Sequence, residues 1–230
     1  MPTIKAQRQI LNQQQTELRR LMEDATAHET AVALFMRQHA MLHAEAMTGL
    51  GLPSLADAVY GDLAEAQFRA IPPQGEHSIA WLVWHMARIE DVTMNGLVAG
   101  SAQLLHDGGW LAQLRLMVED TGNALDLAAI AALSQAVDVA ALRAYRTAVG
   151  RRTRQIVAAL QPGDLARKVD PARIEQIRAS GAVGAGAEGL LDYWSRRTMA
   201  GLLLMPPTRH NLVHLNEAWQ VRQYWEKHSA

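Results

Sequence analysis

The chain has 230 residues, 49% of them hydrophobic, and 22 Lys and Arg against 23 Asp and Glu give a formal charge of −1. That near-neutral balance, with basic residues scattered rather than clustered, excludes a phosphate-neutralising surface for nucleic acid. The absence of cysteine excludes disulfides, thiolate metal sites and a cysteine nucleophile.

The N-terminus, MPTIKAQRQILNQQQ, lacks the apolar core of a signal peptide. No apolar run approaches the roughly 20 residues of a membrane span, and the run from Gly201 to Met205 stops at Pro206-Pro207. Cytoplasmic location with no membrane partner is the default expectation. Helical periodicity dominates and strand alternation is nearly absent. A first long helix is predicted over 25–48, with Val32, Met36, His39, His43 and Ala46 on one stripe, ended by Gly49-Leu-Gly-Leu-Pro53. Short helices follow over 54–68, where Ser54 and Asp57 suit a capping box. Ile71-Pro-Pro-Gln-Gly75 reads as a turn.

A second long helix is predicted over 78–98, with Trp81, His85, Ile89 and Val92 on one face. Gly108-Gly109 and Asp120-Thr-Gly-Asn123 break the next stretch. A third long helix spans 134–160 and is closed by Pro162-Gly163. A short helix near 171–179 precedes a glycine-rich loop containing a literal G-x-G-x-x-G, Gly184 to Gly189. That motif binds dinucleotides only between a strand and a helix, and helix precedes it here. Residues 190–228 read as helical with a break at Pro206-Pro207. The expected architecture is therefore all-α, a four-helix bundle with extra short helices inserted, in a single domain over 1–230.

Three of the nine histidines carry a candidate site. His210 and His214, in RHNLVHLNEAWQV, lie four apart, so both imidazoles leave one face of a helix about one turn apart. Glu217 continues that stripe and is a candidate to orient a histidine, act as a base or bind a metal. His85, in SIAWLVWHMARIED, sits on an inward stripe and completes a triad. His39 and His43 share the same spacing, and spacing alone does not choose between the pairs. His28, His77, His106 and His228 fall near predicted ends or loops and read as solvated. The tryptophans Trp81, Trp84, Trp219 and Trp225 read as core, or as pocket walls. The Arg151-Arg152-Thr-Arg154 and Arg196-Arg197 runs read as solvated faces.

At His85, His210 and His214 the chain resembles the DinB-like (YfiT-like) metalloenzymes, four-helix bundles of up-down-down-up topology, over about residues 25–225. It departs from them at Asn216, where many members carry glycine, and in its extra length between the second and third helices and around 181–189. The resemblance implies a divalent metal on His85, His210 and His214, with His39 and His43 behind it or completing the site. Three imidazoles leave coordination positions open, as in a catalytic site; zinc fits best, with nickel, iron and manganese as alternatives.

The resemblance further implies a low-molecular-weight-thiol S-transferase of bacterial-type stress or detoxification chemistry, acting on a small-molecule substrate. The sulfur would come from the cosubstrate, and Glu217 would orient a ligand or handle a proton. A metal-dependent hydrolase is the alternative, and a non-catalytic metal- or partner-binding bundle, with a homodimer as one form of it, is the third reading.

Overall fold

The computed structural model describes residues 3–228. It is about 69% helical, with no strand among the described residues; Lys168 and Thr198 form an isolated bridge. The G-x-G-x-x-G segment therefore follows no strand. No single helix is long and apolar enough to cross a membrane.

Helix α1 (Ile4–Glu23) starts on Thr3, whose side chain accepts from the Ala6 N–H. It was not anticipated from sequence, because its inward stripe runs Gln7, Leu11, Gln15, Leu18, with glutamine at alternate turns. Helix α2 (His28–Leu42) is shorter than the predicted 25–48 and ends where His43 turns extended, at φ −110°, ψ 166°. The Ser54 hydroxyl donates to the freed His43 carbonyl and accepts from the Asp57 N–H, one half of the expected capping box; the Asp57 carboxylate accepts from the Glu45 N–H instead of closing it. A π turn (Asp57–Gly61) and α3 (Glu65–Arg69) follow.

Helix α4 (Ile79–Asp91) is capped by the Ser78 hydroxyl, and all 13 of its residues are buried. It widens into a π-helix (Val92–Ala99) that stops at Gly100, where φ is +69°. After α5 (Trp110–Leu114), the predicted helix over 134–160 is instead two: α6 (Leu127–Ala136) and α7 (Val139–Ala158), bent by 98°. The Asp138 side chain accepts from Ala141 N–H and starts α7 afresh, an N-cap hidden inside a continuous apolar period.

Helices α8 (Pro171–Ala179), α9 (Gly189–Ser195) and α10 (Met199–Leu203) lead to the last segment. It breaks at 196–198 and again at Leu204, just before the predicted Pro206-Pro207. The prolines open a π turn (Met205–His210) that runs directly into α11 (Asn211–His228). Proline lacks an N–H and is tolerated in a first turn, where that donor has no partner anyway.

Four helices close a ring: α2 packs on α7 and α11, and α4 packs on the same two; α1 lies outside, against α2. The apolar core has two parts. One contains Leu11, Met41, Trp84, Leu142 and Leu212; the other contains Leu18, Phe35, Ile89, Ile156 and Leu203. Between them runs a belt of buried polar groups including Gln15, Gln38, His39, Arg88, Glu90, Asp91, Arg146, Thr153 and Asn211. Core members taken in chain order pass from the second part to the first along α2 and from the first to the second along α4 and α7, while those of α11 all lie in the first. The Arg151, Arg152 and Arg154 side chains are not a free solvated face. They reach the Met47 and Ala46 carbonyls, the Asn95 side chain and the Met36 carbonyl, tying α7 to its neighbours.

Candidate metal centre

His85, His210 and His214 converge, each offering a ring nitrogen within 4.8 Å of the others. His85 comes from the buried α4, His210 from the end of the π turn and His214 from the first turn of α11. Their hydrogen bonds fix which nitrogens are free. The His85 Nδ1 lies 2.7 Å from the Thr121 carbonyl, which can only accept, so Nδ1 carries the proton and Nε2 a bare lone pair. The His214 Nδ1 donates to the Glu217 carboxylate at 3.0 Å, freeing its Nε2 in the same way. The His210 and His85 Nε2 atoms face each other at 3.0 Å. Two lone pairs cannot bond; one proton, or one cation, must lie between them.

Burial, then the nearby His214, lowers the His85 pKa to about 3, and burial also pushes His210 well down. Both are neutral at pH 7, the form that binds metal. Burial would raise the Glu217 carboxyl, but hydrogen bonds from His214 and His77 outweigh it and bring it to about 2. Glu217 thus orients His214 and is not among the three converging donors.

The site forms part of the wall of a cavity of about 380 Å³, whose other walls include Trp81, Ile89, Tyr193, Trp194 and Met205. Trp81 stacks between two histidines, its ring centroid 4.0 Å from His77 and 4.7 Å from His85. His77 is therefore not simply solvated. It donates through Nδ1 to Glu217 at 2.5 Å and lines both this cavity and an outer groove of about 560 Å³. Its place four residues before Trp81 and eight before His85 was the available signal. Trp84, by contrast, is core, packed near Tyr145. His106 and His228 are exposed, as expected, and His28 is half-buried against the Leu160 carbonyl.

The loop that orients His85 is itself held. The Thr121 N–H donates to the Ala182 carbonyl, and the Gly122 N–H to the Asp120 carboxylate. A Cβ on Gly122 would lie 3.1 Å from the Trp81 indole nitrogen, and its φ is +78°, so glycine suits this close approach. The two stretches of extra length seen in the sequence thus meet at the site.

His39 and His43 do not complete this triad. They bind Glu90 instead, at 2.8 and 3.1 Å, in a fully buried cluster of their own. Glu90 escaped sequence reading, although a charged run in a helix otherwise so apolar was a signal. Its neighbours Arg88 and Asp91 pair at 3.0 Å, with the Tyr145 hydroxyl donating to Asp91 at 2.6 Å.

A comparison with curated proteins finds no match. A family model for the DinB superfamily matches residues 52–188, which include His85 and end before His210. Covering more than half of the sequence, that match joins the helical ring and histidine cluster in one conclusion: the chain belongs to the DinB superfamily.

Proposed function

We propose that the protein is a metal-dependent enzyme whose divalent ion is held by His85, His210 and His214, and that it transfers a low-molecular-weight thiol to an electrophile. The observation that carries the metal reading is the pair of bare imidazole lone pairs, on His85 and His214, fixed by Thr121 and Glu217 and aimed at one point beside a cavity. His85 and His214 are each backed by an acceptor on the far nitrogen, as metal-binding histidines commonly are; the His210 Nδ1 has no such partner. Zinc suits three imidazoles with an open position. A bound ion supplies Lewis acidity, lowering the pKa of a thiol or water that coordinates it.

The remaining work falls to the chain. Trp81 and Trp194 wall the cavity and exclude water from one side. Glu217 holds His214 in its ligating tautomer. His77, bonded to the same carboxylate and facing both cavity and outer groove, is placed to take the proton that a thiol releases. Thiol transfer itself rests on family resemblance. One observation favours hydrolysis by an activated water as a second reading: no Lys or Arg lines the cavity, so the carboxylates of an anionic thiol would meet no cationic side chain there.

The test begins with tag-free protein analysed for metal beside a His210→Ala, His214→Ala double variant. Near-stoichiometric metal, lost in the double variant, is expected. Failure of the wild type to bind zinc on addition overturns the reading. Turnover of an electrophile only when a thiol is added supports transfer; equal turnover without thiol supports hydrolysis.

A further inference from the structure

We propose that His39, His43 and Glu90 form a second divalent-metal site, buried beside the first and separate from it. The donor atoms already converge: the two imidazoles and the carboxylate lie within 4.8 Å of one another, and the imidazole centroids are 4.3 Å apart. All three side chains are at most 1% exposed. Two imidazoles and one carboxylate suit zinc, iron or manganese.

Backbone and neighbours are arranged around this cluster. His39 lies in the last turn of α2, and the helix ends at His43, whose extended backbone brings its ring onto the same carboxylate. Across from it, α7 carries Gly150, where an added Cβ would stand 2.8 Å from the His43 Nδ1. The Asn211 amide donates to Glu90 Oε2 at 2.8 Å and to the Pro207 carbonyl at 3.1 Å, fixing the carboxylate from behind as outer partners of metal ligands do. Asn211 follows His210 directly, so the two sites adjoin through α11.

A buried carboxylate is costly unless it is paired, and Glu90 is bonded by the two imidazoles and the Asn211 amide. The Arg146 guanidinium, on α7, donates to the Leu42 carbonyl, and its Nε and Nη1 atoms bond no protein group. A divalent cation between the two imidazoles and Glu90 would pair that carboxylate and take the place of the protons that the His39 and His43 Nε2 atoms hold against it.

Metal stoichiometry tests this independently of the proposed enzyme function. Chelator-treated wild type is titrated with cobalt(II), and bound zinc is measured in wild type, Glu90→Gln, His39→Gln and the His210→Ala, His214→Ala double variant, with helix content followed by circular dichroism. Two equivalents in wild type are expected, with two sequential sets of cobalt absorption bands. Each variant then retains one equivalent. The unmutated titration decides the matter even where a variant unfolds. One equivalent in wild type, lost with His210 and His214, overturns the second site. One equivalent that survives the double variant and disappears in Glu90→Gln upholds it while refuting the metal centre on His85. No binding at all overturns both.

Discussion

Replacing Glu217 with glutamine tests whether the second partner of His214 sets the metal affinity. The carboxylate accepts two N–H bonds, from His214 at 3.0 Å and His77 at 2.5 Å. Glutamine offers one oxygen, so one histidine must face an amide NH2. Should His214 face it, its proton moves to Nε2, the ligating nitrogen, and binding fails in that rotamer. Should the oxygen face His214, the bond survives without its charge, and ionic hydrogen bonds are roughly twice as strong as neutral ones. Neutral bonds contribute about 1 kcal/mol and charged ones about 1.5–3, so the milder route costs on the order of 1–2 kcal/mol. That corresponds to the lower part of the 10–100-fold loss of affinity that is typical when such outer partners are removed. Competition against a chromophoric chelator reads the dissociation constant directly. His77→Phe is the control: it keeps a ring stacked on Trp81 but removes only the bond outside the triad, and should weaken binding by less than about threefold. An unchanged affinity in Glu217→Gln, or an equal loss in His77→Phe, would refute the reasoning.

Three other measurements follow from the fold. Gly150→Ala places a Cβ 2.8 Å from the His43 Nδ1 and 3.0 Å from the Met47 sulfur; helix propensity returns up to about 1 kcal/mol, overpacking takes roughly 1–3, and urea unfolding should show a net loss. Asp138→Ala removes the N-cap of α7 and should cost about 1 kcal/mol, a fall in Tm of roughly 2–4 °C for a chain of this size. Metal-free protein should lose stability in acid, because burial holds His43 and His85 near about 3, far below the ordinary value near 6.5. Their contribution is complete above about pH 6.5 and declines below it, as the unfolded chain takes up protons that the native state refuses, by about 1.4 kcal/mol per pH unit for each histidine until about pH 3. A urea midpoint that is flat from pH 7.5 to 5.5 would contradict this.

Much of the candidate site was legible because its signals are local. The four-residue spacing of His210 and His214 and the apolar flanks of His85 survive folding unchanged, and Ser54 caps the Asp57 N–H as its spacing suggested. What escaped notice depends on partners distant in sequence. Helix α1 buries Gln15 and Gln38 against each other, so its inward face reads as polar until that partner is known. The bend between α6 and α7 is silent because Val137 keeps the apolar period intact across it. Glu90 looks like a surface charge until α2 folds over it, and His77 like a loop residue until Glu217 arrives from 140 residues away.

The placement of both candidate sites on α4 has a mechanical consequence. At about 100° per residue, positions 85, 88, 90 and 91 point in four different directions. His85 meets the 121 loop and His210, and Arg88 meets the Glu119 carbonyl and Tyr145. Glu90 meets α2 and Asn211; Asp91 accepts from Tyr145 and from the Leu104 and Leu105 N–H groups. Rotating α4 to improve any one of these contacts breaks the other three. Each broken contact would strand a buried polar group, at about 1–3 kcal/mol when neutral and more when charged. Apolar packing alone would permit small slips of one helix past another; the polar belt does not. The charged run therefore fixes the register of the helix that presents His85, which explains why a helix with no exposed residue carries four ionisable side chains in seven positions.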